Sequence, residues 1–322
     1  MQVPFCYGTL GSKILVTTRN AMVASVMNSI RVLHLPLLSK EDGWQLFAEH
    51  AFRNKDASMR ANLESIGKKI VEKCKGLPLA LKTLGGLLLT KLSEKHWNEI
   101  LHSEIWKSLD GESNIVPALR LSYHYLPSNL KRCFAFCSIF PKDYEIDKDS
   151  LIQMWMAEDL LHCHQGNTCV EEMGNEILDE LESRSFLQKS RIYDNKLIMH
   201  DLVSDLAKSI SEGFCLRVEG GKVQNTCDRI RYCSYSGLIL SNEILLEPIY
   251  KCRQLHCLLQ LAPSTTFIVE GKDEGEILSG FMHLRILSLN SLHSITKLSD
   301  SISQLKHLRY LDLSRNKIIK LP

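Results

Sequence analysis

No stretch of this sequence stays apolar long enough to cross a bilayer. The longest, "GLPLALKTLGGLLL" at 76–89, is broken by Lys82 and falls short of the roughly 18 residues a span needs. The opening residues "MQVPFCYG" have neither a basic nor an apolar leader region, so no signal peptide is expected and a cytoplasmic location is. An excess of one charge is also missing. With 39 basic against 37 acidic side chains and a net charge of +2, the charge balance argues against a nucleic-acid binder with a broad electrostatic footprint. Cysteine is not scarce, but an odd 11 scattered over 322 residues fits reduced, mostly buried thiols and not a disulfide scaffold. What remains is an apolar content of 44% and a charged content of 24%, an ordinary globular composition in a chain long enough for two or three domains.

Zinc-type spacing is absent as well. Cys133 and Cys137 in "LKRCFAFCSIF" are four apart without a second Cys or His pair, which reads as the core face of a helix beside Phe134 and Phe140. "HCHQGNTC", with His162, Cys163, His164 and Cys169, is richer in ligand types but sits in a loop-like stretch, and metal binding there is the weaker reading.

The patterns that are present change along the chain. In "GSKILVTTRN" at 11–20, the run Ile14, Leu15, Val16 between polar flanks predicts a buried parallel strand, ending at Thr17, Thr18 and Arg19. In an open α/β sheet an anionic ligand sits at such a carboxyl end, although a plain surface arginine satisfies the same residues. Ser39, with Asp42 three residues on, predicts a helix start, with Trp44, Phe47, Ala48 and Ala51 on one face. Leu63, Ile66, Ile70 and Cys74 form the next stripe, stopped by Gly76, and Pro78 opens a third helix through Leu81, Leu84 and Leu88.

From 111 to 213, helices are expected near 115–124, 128–137, 149–160 and 170–183. Two short strands then flank an Asp194-Asn195 turn, and a helix follows over "DLVSDLAKSI". Helices followed by a hairpin suggest a winged-helix domain. At the end of the chain Leu284, Leu287 and Leu289 recur 24 residues later as Leu308, Leu311 and Leu313, continuing to Asn316 in the leucine-rich pattern L-x-x-L-x-L-x-x-N. Leu255, Leu258 and Leu261 form an irregular earlier candidate. "LSRNKIIKLP" stops partway through a repeat, so the array is expected to be cut short.

Five motifs occur in a fixed order: "GSKILVTTR", "LSKEDGWQLFAEHAF", "CKGLPLAL", "LPSNLKRCFAFCSIFPKDYEI" and "MHDLVSDLA". In that order and spacing the chain resembles the plant nucleotide-binding leucine-rich-repeat (NB-ARC) disease resistance proteins, in the coiled-coil class. The resemblance implies a multidomain α/β plus α architecture. Residues 1–35 would be the C-terminal remnant of a P-loop nucleotide-binding domain, 36–110 a helical ARC domain, 111–213 the winged-helix domain, and 214–322 the first leucine-rich repeats.

It also implies an ADP/ATP switch in an intracellular immune receptor, with a pathogen effector or a guarded host protein recognised through the repeats. Self-association of an intact relative stays open. Carried over residue by residue, Arg19 would read the terminal phosphate from a strand ended by Thr17 and Thr18. A guanidinium grips phosphate oxygens through paired hydrogen bonds. Pro78 would pack on the adenine. In "MHD", His200 would touch the ADP phosphates at a helix start while Asp201 caps that helix.

The chain departs from the family in two respects. No G-x-x-x-x-G-K-[ST] occurs in it, and Gly8 and Gly11 do not supply one. The paired aspartates that would hold magnesium are missing too. By the family's order both are expected upstream of residue 1. The 322 residues alone are therefore expected not to be an enzyme, not to bind nucleotide tightly, and to expose apolar surface over 1–35. Two alternatives remain open: a nucleotide-independent interaction module, acting as a decoy or regulator, and, disfavoured by the charge balance, a DNA-binding winged helix.

Overall fold

The computed structural model describes residues 9, 11–18, 20–53, 57–91, 93–107, 116–161, 169–219, 229–236, 252–261, 280–290, 297–298 and 300–320. The first expected element is not there. Residues 12–18 form no strand, and Ile14, Leu15 and Val16 are 56%, 92% and 44% exposed. A parallel strand needs neighbours on both edges and cover on both faces, and the described residues offer neither. A short helix α1 (Ala21–Val26) follows, capped by the Asn20 side chain, with none of its residues buried. Exposed Met22, Val26, Ile30, Val32, Leu33, Leu35 and Leu37 continue the apolar surface expected here.

The helical bundle begins at α2 (Lys40–Ala51), where Ser39 Oγ accepts from the Asp42 N–H at 3.0 Å, as the capping pattern predicts. α3 (Ala57–Lys73) buries Leu63 and Ile70 and ends at Gly76, whose φ of +68° suits glycine. There the Gly76 carbonyl accepts from the Leu38 N–H at 3.0 Å, tying the approach to α2 to the approach to α4. α4 (Pro78–Leu89), apolar apart from Lys82 and Thr83, is buried on nearly every side and packs on α2. α5 (Glu94–Leu101) brings Trp97 edge-on to Phe47 and flat against Phe52, with centroids 5.9 and 5.4 Å away.

The next segment comprises α6 (Pro117–His124), α7 (Ser128–Phe136), strand β1 (Ile146–Asp147), α8 (Lys148–Ala157), α9 (Val170–Ser183), strands β2 (Gln188–Lys189) and β3 (Lys196–Ile198), and α10 (Asp201–Ile210). The strands form an antiparallel sheet in the order β1-β3-β2, with Leu197 paired to both Ile146 and Lys189. Helices carrying a small hairpin sheet are the architecture expected of a winged helix, and the hairpin turns at Asp194-Asn195 as predicted. Its core holds Phe134, Phe136, Phe140, Trp155 and Phe186. Cys133 and Cys137 lie fully buried in it, where burial pushes the Cys133 thiol up to about 12. His162, Cys163 and His164 lie outside the described residues. Cys169 begins α9, where its backbone N–H donates to Glu172 Oε2 at 3.3 Å.

The last five strands, β4 (Cys215–Glu219), β5 (Tyr232–Ser236), β6 (Cys257–Gln260), β7 (Ile286–Ser288) and β8 (Tyr310–Asp312), form one parallel sheet in chain order. The 24-residue shift is realised as adjacent strands, with Leu287 opposite Leu311. Leu258 stands opposite Leu287, so the irregular candidate is in register, but its last position is Gln260 and not Leu261. Gln260 is buried and bonded to the Tyr235 hydroxyl at 3.0 Å, which lets a polar side chain stand at an apolar position. Among the described residues no helix is long and apolar enough to cross a membrane.

Candidate functional site

The winged-helix core is shared. Leu79 of α4 is buried in it, and so are Tyr232, Cys257, Leu259 and Ile286 of the parallel sheet. Two of the residues singled out in the sequence stand directly beside members of that core. Pro78 is the first residue of α4 and is exposed, one residue before buried Leu79. Its missing N–H costs nothing at that position, and its fixed φ suits the helix. His200 is exposed one residue after Met199, which is 4% exposed in the same core. α6 packs against both α4 and α10, and so spaces the two helix starts.

The cap assigned to Asp201 falls one residue earlier. His200 has the extended backbone of an N-cap, with φ −62° and ψ 144°, and its Nδ1 accepts from the Leu202 N–H at 3.2 Å. Asp201 is already helical and stands in the first turn, where a carboxylate complements the helix dipole. An accepting Nδ1 carries no proton, so the ring carries it on Nε2, beside a helix N-terminus. That leaves one neutral donor beside the dipole's positive end, which suits a phosphate oxygen.

Thr17 and Thr18 are exposed, and Thr18 Oγ1 accepts from the Asn20 N–H at 3.1 Å ahead of α1. Arg19 lies outside the described residues. Among the described residues no hydrogen bond links Thr17, Thr18, Pro78 and His200 to one another.

A second constellation was missed in the sequence. After α8, Glu158 is buried, only 7% exposed, and Asp159 adopts φ +55°. Glu158 Oε1 accepts from His256 Nδ1 at 2.7 Å and from the Tyr232 hydroxyl at 3.3 Å. Arg285 Nη1 donates to the Glu158 carbonyl and to Asp159 Oδ2, both at 3.3 Å. Arg309 Nη1 donates to the Ala157 carbonyl at 3.4 Å and pairs with Asp159 Oδ1. Cations thus meet the open carbonyls at the C-terminal end of α8, where the helix dipole favours them. Burial and the Glu158 charge together raise the Tyr232 phenol well above its usual range. His256, Arg285 and Arg309 each immediately precede a strand, and "HLR" occurs at both 283–285 and 307–309. The repeat phase was the available signal.

The disease resistance protein winged helix domain family matches residues 139–207, and the NB-ARC domain family matches 1–57. The chain is 39% identical over 326 residues to disease resistance RPP13-like protein 1 of Arabidopsis thaliana, covering 100% of this chain and 31% of that protein. It is 46% identical over 205 residues to disease resistance protein RGA2 of Solanum bulbocastanum, covering 63% of this chain and 21% of the relative. Against disease resistance protein RPM1 of Arabidopsis thaliana it is 32% identical over 311 residues, covering 92% of this chain and 32% of the relative. The chain therefore spans a third or less of each of these relatives' length.

Proposed function

The chain belongs to the plant NB-ARC disease resistance proteins, and on that premise we propose that it is the part of an immune receptor that closes over a bound adenine nucleotide. In this reading ADP holds the resting state and ATP the active one. The sheet β4–β8 forms the first rungs of a leucine-rich-repeat array that meets an effector or a guarded host protein, and the receptor acts in the cytoplasm. The observation that carries the reading is the placement of Pro78 and His200. Each is exposed at a helix start, and each is held by a neighbour in one common core.

The residues fit the group they would meet. His200 offers Nε2–H to a phosphate oxygen without giving up its cap on Leu202, because the two ring nitrogens do separate work. Pro78 offers a flat apolar ring to a base. Thr17, Thr18 and Arg19 supply hydroxyls and a permanent charge for a terminal phosphate. Asp201 adds negative charge at the same helix start, so the site holds an anion only with the further cations of a phosphate loop. No catalytic role is assigned to this chain's own residues, and nucleotide bound to it supplies only the ligand whose presence favours the closed arrangement.

The test exchanges these 322 residues for the matching segment of a full-length relative. Asp201→Val in that chimera is expected to trigger cell death without pathogen, because loss of first-turn charge loosens the helix start that a resting ligand stabilises. Unchanged output at matched expression counts against the switch. If His200→Ala leaves both the ADP content and the resting behaviour of the chimera unaltered, a nucleotide-independent interaction module becomes the better reading. The isolated 322-residue chain is expected to retain no stoichiometric ADP.

A further inference from the structure

α4 carries two adjacent glycines that meet different neighbours. A Cβ on Gly85 would lie 2.7 Å from His50 Cβ and 3.1 Å from the Phe47 carbonyl oxygen, both on α2 within the helical bundle. A Cβ on Gly86 would lie 2.3 Å from the Ser183 carbonyl oxygen and 2.9 Å from Arg184 Cα, at the end of α9 in the winged-helix domain. The second set of contacts is entirely with backbone atoms, so no side chain can rotate aside to relieve it. Seven residues before Gly86, on the same helix face, Leu79 is buried in the winged-helix core. Between them Thr83 is fully buried, and its carbonyl accepts from Ser122 Oγ of α6 at 3.4 Å.

The segment that meets Gly86 is itself poorly satisfied. Arg184 is 4% exposed, and its Nε donates to Glu180 Oε1 at 2.7 Å, while its buried Nη1 has no hydrogen-bond partner. Ser185, next along, is held at φ +58°. A desolvated guanidinium nitrogen without an acceptor and a left-handed serine both penalise the docked arrangement. At Gly86 the neighbours are backbone atoms of Ser183 and Arg184, and the apolar burial across the joint comes from elsewhere on α4 and from Ala118 and Leu121 of α6.

We infer that Gly86 is the spacing residue of the joint between the helical bundle and the winged-helix domain. Its missing side chain lets α4 and the end of α9 dock at backbone distance, and any side chain there drives the two apart while leaving each domain folded. Gly85, one residue earlier, serves the inside of the bundle.

Hydrogen exchange on the 322-residue chain separates the two roles. Gly86→Ala is expected to speed exchange at least tenfold at the amides of 184–187, which bond back to Glu180, Leu181 and Glu182, while α2 keeps wild-type protection. Gly85→Ala should do the reverse, exposing α2 and sparing 184–187. Unchanged exchange at 184–187 in Gly86→Ala overturns the inference, and so does an equal rise in α2. If Gly86→Ala does not accumulate as folded protein, Leu79→Ala empties the same face without inserting an atom. It should give the same local rise, and full protection of 184–187 in that variant refutes the joint.

Discussion

Removing the Glu158 carboxylate is the sharpest test of how the winged helix is fastened to the parallel sheet. Glu158→Ala deletes the acceptor of a 2.7 Å bond from His256 and a 3.3 Å bond from Tyr232, around a carboxylate that is itself buried. A charge-assisted hydrogen bond is worth about 1.5–3 kcal/mol and a buried donor left unpaired costs about 1–3 kcal/mol. The summed loss is therefore about 3 kcal/mol, well above the 0–1 kcal/mol typical of an exposed ion pair. The assay is urea unfolding followed by fluorescence of Trp155, which lies in α8 three residues before Glu158. A double-mutant cycle with His256→Ala isolates the pair, with an expected coupling of about 1–2 kcal/mol. Because the Glu158 carboxylate is buried, most of the loss should persist in 0.5 M salt. A loss below about 0.5 kcal/mol, or zero coupling, would mean that the carboxylate gains no more from His256 and Tyr232 than from water.

Arg309→Ala probes the exposed end of the same row. With Arg309 and Asp159 both about half exposed, the expected loss is under about 1 kcal/mol and should shrink with added salt in the same unfolding assay. Gly76→Ala should cost about 2–3 kcal/mol in thermal or urea melts, because a Cβ there meets the Leu38 carbonyl oxygen at 2.5 Å and φ is +68°. Alkaline pH should weaken the fold through its buried thiols. Burial pushes Cys74 and Cys133 up to about 12 and Cys215 up to about 11. Since an unfolded thiol ionises near 8.5, their stabilisation is complete below that pH and is lost as pH rises toward 11–12, at about 2 kcal/mol per thiol by pH 10. Urea midpoints measured from pH 7.5 to 10 check the slope, and Cys133→Ala should flatten it.

The helices were legible wherever start, stop and stripe agreed. Ser39, Gly76 and Pro78 act locally, and 170–183 came out with the predicted bounds because its apolar stripe is regular. The strand at 14–16 was legible as a pattern and still did not form. Strand pairing is a property of neighbours, which these residues lack among those described. β4 and β5 were illegible because their inward positions are Leu216 with Val218, and Cys233 with Tyr235, a series without a leucine period. At the site, the positions of Pro78 and His200 followed from their motifs, but the cap did not. A histidine caps only through an unprotonated Nδ1, and nothing in the string "MHD" fixes the tautomer. The row at Glu158 was missed because its acids sit on one domain and its bases recur on another.

Both seams of the winged helix carry apolar burial, and this decides which parts unfold together. Toward the sheet it shares one core with Tyr232, Cys257, Leu259 and Ile286, of which the two aliphatic side chains are each worth about 1.5–3 kcal/mol when fully buried, and the Glu158 row adds to them. Toward the helical bundle, α4 supplies Leu79 to that core, and α6 supplies Ala118 and Leu121, both fully buried, to the core of the bundle. With aliphatic burial on both sides, bundle, winged helix and sheet should unfold as one cooperative unit. Trp155 reports the winged-helix core and Trp97 the bundle core. Variants that retain only one of these tryptophans should show coincident urea midpoints, with exchange in β6 tracking both. A Trp97 transition that separates from the Trp155 one would show that Leu79, Ala118 and Leu121 do not couple the two cores.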